Sequence, residues 1–181
     1  DLNFLDVEFE ISFRKLDKYT AHGFDEVEFL ISTNPGESVK PLGMVASGGE
    51  LSRIMLAIKT VLADTDDVPT LIFDEIDTGI SGRTAQKVSE KLAVISGSRQ
   101  VICITHLPQI AAMADYHFEM AKEPKEAKTV TTIRRLDGRQ QIVELARLLG
   151  GAEITDAVLQ NAGEMKKLAE QTKRQLREYG A

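Results

Sequence analysis

The loop pattern G-x-x-x-x-G-K-[ST] occurs nowhere in the 181 residues. A phosphate-cradling loop and its lysine are therefore missing, and with them the usual source of most contacts to a nucleoside triphosphate. Cysteine is nearly absent. The single Cys103 excludes an internal disulfide and lies in an apolar run, which fits a reducing cytoplasm. No stretch is long and apolar enough to span a bilayer and no signal peptide is visible, so a cytoplasmic location without a membrane partner is expected. Excess positive charge is lacking as well. The formal net charge is −6, which excludes a surface basic all over, so contact with DNA needs a local patch or another part of the protein. Basic residues do gather late, from Lys122 to Arg139 and again at Lys166, Lys167, Lys173, Arg174 and Arg177. Glutamates are interleaved with them, and the pattern reads as a solvated face.

What is present is ordinary globular composition, 43% apolar and 28% charged, enough for one domain or one large lobe with a real core. Residues 3–13 and 24–32 alternate in part between apolar and acidic side chains, as antiparallel strands with one wet face do. A loop rich in Pro, Gly and Asn follows at 33–43. A helix is expected from about 48 to 63, broken by "DTDDVP" at 64–69. "TLIFDE", 70–75, and "QVICIT", 100–105, are short apolar runs of the kind that form buried parallel strands. Between them Ser81 can cap a helix running to about 96, with Val88, Leu92 and Ile95 on one face. A short helix in "LPQIAAMAD", a β-hairpin within 116–136, and helices over 139–149 and 153–179 complete the pass. The expected organisation is a single lobe over 1–181: a β-rich segment to residue 46, a core over 47–115, and a hairpin with C-terminal helices over 116–181.

Ser47-Gly48-Gly49-Glu50 admits two readings. Serine and glutamate three apart make a capping box, and Leu51, Ile54, Met55, Ile58, Val61 and Leu62 then form an apolar stripe, so the stretch can be a capped core helix. Two adjacent glycines in a first turn cost about 1 kcal/mol each relative to alanine, however. They do let another backbone or an anion approach the positive end of the helix dipole.

Strand, helix, strand with polar residues at both strand ends is the layout of an open α/β sheet, where ligands bind outside the carboxyl ends. Asp74, Glu75 and His106 fall at that edge. Each has a bland alternative, a polar turn or a structural hydrogen bond. Each also suits phosphate chemistry: a carboxylate for Mg²⁺, a second one to deprotonate water, a histidine to donate to phosphate.

In order and spacing the set resembles the second half of an ABC-type ATPase head. "ASGGE" resembles the signature motif, "TLIFDE" the Walker B strand with its following glutamate, "IDTG" the D-loop and "ITHLPQ" the histidine switch. Where ABC transporters usually carry Pro after the glutamate, Ile76 stands here. "ASGGELSRIMLAIK", "DEIDTGISGRTA" and "THLPQIAAMAD" are most similar to the RecN family, bacterial double-strand-break repair ATPases related to SMC and cohesin proteins. That resemblance implies an α/β fold, the C-terminal half of a P-loop NTPase head with parallel strands flanked by helices. The phosphate loop would lie in an N-terminal half beyond a long antiparallel coiled coil, cut away before Asp1. It further implies Asp74 as the Mg²⁺ carboxylate, Glu75 as general base, His106 as γ-phosphate sensor and Asp77 as a contact across the dimer. Ser47, Gly48, Gly49 and Glu50 would act in trans on ATP held by a second head. The implied partners are the N-terminal head half, a second copy and DNA at the nucleoid. The chain alone would be inactive. The alternatives are a non-catalytic dimerisation module derived from such a head, or a transporter ATPase subunit.

Overall fold

The computed structural model describes residues 2, 4, 6–44, 47–62, 65, 67–125, 128–151 and 153–179, with the backbone only at 123, 125 and 179. Part of the predicted first strand (Asn3, Leu5), part of the predicted break after the first helix and the tip of the late hairpin lie outside the described residues.

Strand β1 (Glu8–Thr20) pairs antiparallel with β2 (Gly23–Ser32), and β3 (Lys40–Pro41) extends the sheet. The register sets Phe9 opposite Ile31, Ile11 opposite Phe29 and Phe13 opposite Val27, so the apolar set shares one face. On the other face Arg14 pairs with Glu26. The first strand begins at Glu8 rather than near residue 3, and Leu2 and Phe4 instead pack into the core.

Helix α1 (Gly48–Val61) begins where the motif predicts. Its buried side matches the predicted stripe only in part, at Ile54 and, half-buried, at Met55 and Ile58. Gly49, Arg53, Ile54 and Leu56 are buried, whereas Leu51, Val61 and Leu62 are exposed. Helical period identifies apolar positions, but which face is covered depends on the elements that pack there.

Strands β4 (Thr70–Phe73) and β5 (Gln100–Cys103) are parallel, joined through α2 (Gly82–Ile95), as a parallel pair requires a crossover. Leu71, Phe73, Val101 and Cys103 face a core shared with Leu56, Ile76, Val88, Leu92, Ile95 and Ile110. Ser81 occupies the N-cap of α2 without a side-chain capping bond. The opposite face of the pair is bare: Ile72 is 67% exposed, Ile102 45% and Ile104 50%.

Helix α3 (Pro108–Met113) leads to the hairpin of β6 (Phe118–Lys125) and β7 (Lys128–Arg135). Helices α4 (Gly138–Gly150) and α5 (Asp156–Tyr179) follow. A second core joins Ala93, Ala111, Ala112 and Met113 to Leu145, Ala146, Ala162 and Ala169. Two of the late lysines are not part of a solvated face. Lys166 Nζ donates to the carbonyls of Ala112 (3.1 Å) and Ala114 (2.9 Å), and the buried Lys173 donates to Met113 O (3.2 Å) and the Asp115 carboxylate (2.7 Å). The last carbonyls of a helix lack intrahelical partners, and cations suit that end of the dipole.

Candidate functional site at the carboxyl ends of the strands

After β4 the chain turns sharply. Glu75 has φ +57°, the one non-glycine positive φ among the described residues, a conformation costing about 1–3 kcal/mol. Several bonds hold it. The Asp74 carboxylate accepts from Glu75 N–H at 2.9 Å, and Glu75 O accepts from Thr78 N–H at 3.0 Å. The Ser52 hydroxyl of α1 donates to Asp74 O at 2.8 Å. Both carboxylates, Asp74 and Glu75, remain exposed.

The start of α1 abuts this turn. Ser47 Oγ accepts from Glu50 N–H at 3.2 Å, so the serine half of the capping box forms. Close approach of backbone within the same chain requires glycine at Gly49, whereas at Gly48 the neighbour is the far end of the Glu75 side chain. A Cβ at Gly48 would collide with the Glu75 carboxylate, and one at Gly49 would lie 2.9 Å from the carbonyl oxygens of both Glu75 and Thr78.

The side chain of Asp77, the residue expected to contact a second head, is 4% exposed and turned inward within this chain. Oδ2 accepts from the Thr105 hydroxyl (2.6 Å) and the His106 N–H (2.8 Å), and lies 3.0 Å from His106 Nδ1. The reversal of the chain at Glu75 folds Asp77 under the end of β5, where these donors need an acceptor. A carboxylate on Nδ1 holds the proton there and leaves Nε2 directed away from it. The imidazole is 73% exposed, so Nε2 has access to a ligand. Thr105 Oγ1 also accepts from Leu107 N–H at 3.0 Å, which fixes the turn leading into α3.

Sequence reasoning missed Arg53, Ser52 and Thr105. Arg53 is 3% exposed, donates to the carbonyls of Ile76 (3.3 Å) and Thr78 (2.9 Å), and lies 5.7 Å from the centre of the Phe4 ring. Burial lowers its pKa, opposed by the charge of Glu50. The available signal was its position four after Gly49, on the same helix face as the tight glycine. Among the described residues, no hydrogen bond links Glu75 or Asp74 to His106. The site is two linked parts, the α1 start with the Asp74–Thr78 turn, and Asp77 with His106.

Asp74 offers one exposed carboxylate, and the described residues hold no group of three ligating side chains. That donor set suits Mg²⁺ bound through one carboxylate, waters and substrate phosphates, rather than a protein cage. Cys103, behind the site, is half-buried against the core. Burial pushes its thiol up to about 12, with the charges of Asp77 and Asp74 adding to the effect.

No family model matches the chain. Curated relatives do. The DNA repair protein RecN of Bacillus subtilis is 51% identical over 154 residues, 85% of this chain and 27% of that protein. RecN of Vibrio cholerae is 52% identical over 143 residues, 79% of this chain and 26% of that protein. A solved structure from work on ATP-driven dimerization and DNA stimulated activation of SMC ATPases covers 79% of this chain and 84% of its own, at 21% identity and a TM-score of 0.46. The chain spans little more than a quarter of the length of the curated relatives it matches. At such identity over most of its residues, with the helix start, the strand-end carboxylates and the histidine gathered at one edge, the chain belongs to the RecN family as a segment of it.

Proposed function

We propose that this chain is the C-terminal lobe of the ATPase head of a RecN-like DNA repair protein. The whole protein binds and hydrolyses ATP between two heads and uses that cycle to engage or tether DNA at breaks. The observation that carries the reading is Glu75, an exposed carboxylate held at φ +57° against the glycine start of α1. Backbone strain maintained beside a helix N-terminus supports reading the position as one kept for chemistry rather than for the turn alone.

In this reading Glu75 takes the proton of the attacking water, and Asp74 is the carboxylate that holds Mg²⁺, whose chemistry is to neutralise the phosphate oxygens. His106, its Nδ1 engaged by Asp77, presents Nε2 to the γ-phosphate, which makes Asp77 a positioning group within the head. Ser47, Gly48, Gly49 and Glu50 meet the ATP of a second head, the cap of α1 exchanging its own serine contact for phosphate. The bare face of β4 and β5 supports an N-terminal head half as partner. Parallel sheets are ordinarily covered on both faces, and Ile72, Ile102 and Ile104 stand exposed here.

The test is a pair of substitutions in the full-length protein. Glu75→Gln keeps shape but cannot take a proton, and lowers single-turnover hydrolysis about 10²- to 10⁴-fold while prolonging the ATP-bound dimer. Asp74→Asn instead weakens Mg²⁺-dependent nucleotide binding. Near wild-type turnover in the first, with normal Mg·ATP binding in the second, returns the strand end to an ordinary polar turn.

A further inference from the structure

We propose that Arg53 is a positioning residue for Glu75: it holds the turn carrying Glu75 onto α1, so that the helix start and the base of the same head move as one body. The inference rests on the reading of Glu75 as general base.

Three positions on one face of α1, at i, i+3 and i+4, meet consecutive parts of that turn. Gly49 lies against the carbonyls of Glu75 and Thr78, with no room for a Cβ. Ser52 donates to Asp74 O, and Arg53 donates to Ile76 O and Thr78 O. The carbonyls of residues 74, 75, 76 and 78 are thus all met from α1, and the strained residue lies between those the two side chains hold. Arg53 is an unusual group for a packing role. It is almost fully buried, forms no ion pair among the described residues, and its Nε is buried without a hydrogen-bond partner. A guanidinium taken out of water with no ion pair, offset only by the charge of Glu50 and the ring of Phe4, is costly, and an apolar side chain of similar length would fill the space without that cost. What only a donor at this position supplies is the hold on the two carbonyls.

The consequence is a coupling within one head. A shift of the Ser47–Gly49 start of α1, on meeting a partner's phosphate, is passed to Glu75 by rigid contacts rather than through the flexible length of a loop. The base of one site then responds to closure at the other.

The experiment is a double-mutant cycle in the full-length protein, with kcat and KM for ATP, ATP-dependent dimerisation and thermal unfolding followed for each variant. Arg53→Met is expected to lower kcat about 10- to 100-fold, as a misplaced catalytic group does, with KM and dimerisation within about twofold. Arg53→Lys, which retains a donor, is expected to fall between Arg53→Met and wild type. Because Arg53 acts through Glu75, Arg53→Met combined with Glu75→Gln falls no further than Glu75→Gln alone. Multiplying losses in the double variant, or a kcat for Arg53→Met within about twofold of wild type, overturns the proposal while leaving Glu75 as base. Near wild-type turnover of Glu75→Gln overturns the underlying reading and the proposal with it. If Arg53→Met does not fold, Arg53→Lys with Glu75→Gln carries the same cycle.

Discussion

Gly49 and Gly163 are both helical glycines, yet they have opposite reasons to be glycine. Alanine is the better helix former by about 1 kcal/mol at either position. At Gly163 in α5 a Cβ meets nothing within 4 Å, so Gly163→Ala is expected to raise stability by about 0.5–1 kcal/mol. At Gly49 the added carbon meets two backbone carbonyl oxygens at 2.9 Å, which cannot rotate away as a side chain would. Overpacking of this kind costs about 1–3 kcal/mol and outweighs the propensity gain, so Gly49→Ala is expected to destabilise. Denaturant midpoints of the two variants, moving in opposite directions, check the pair. Equal shifts would mean that the turn yields and that Gly49 is not held by contact.

At the scale of elements, the ends of helices are satisfied in different ways. Helix α4 has a complete capping box. The Asp137 carboxylate accepts from Gln140 N–H at 2.9 Å, and Gln140 Oε1 accepts from Asp137 N–H at 3.0 Å. Helix α1 has only the bond from Glu50 N–H to Ser47 Oγ, and its first turn is left open beside the exposed Glu75. A cap that is purely structural responds to truncation by stability alone. Asp137→Ala is therefore expected to cost about 1 kcal/mol, read as a lower thermal midpoint, without altering turnover of the full-length protein. Lost turnover at an unchanged midpoint would instead tie α4 to the site.

Taken whole, the described residues form two cores and leave apolar surfaces in solvent. These include the face of β1 and β2 bearing Phe9, Ile11, Phe13, Val27 and Phe29, the Ile72–Ile102 face of β4 and β5, the outer side of α1 at Val61 and Leu62, and the hairpin face bearing Phe118, Met120 and Ile133. Together with the lack of a phosphate loop in these residues, such surfaces fit the proposed lobe that pairs with an N-terminal half. The chain alone is expected neither to bind ATP tightly nor to hydrolyse it. Mixing with a purified N-terminal half is expected to restore nucleotide binding by calorimetry. Micromolar ATP affinity of the isolated chain would show a triphosphate site that does not need the absent loop.

The order of elements, the start of α1 and the gathering of carboxylates and histidine at one sheet edge were legible in the residues, because each rests on local chemistry. Serine and glycine begin a helix, apolar runs of four form parallel strands, and polar residues end them. The direction in which groups point is a matter of what packs against them. The same helical period that marks Val61 and Leu62 as apolar leaves them in solvent, and places the charged Arg53 inside. Asp77 sits four residues after a strand, where sequence allows it to face outward. One positive φ at Glu75 turns it under β5 to the donors of Thr105 and His106. Lys166 and Lys173 belong to a charged, glutamate-laced stretch, yet the open carbonyls at the end of α3 draw both amines inward. Composition and spacing determined which chemistry the chain carries. Close approach of segments distant in sequence, with the demand that buried donors and acceptors find partners, decided which of those residues face solvent and which hold the others in place.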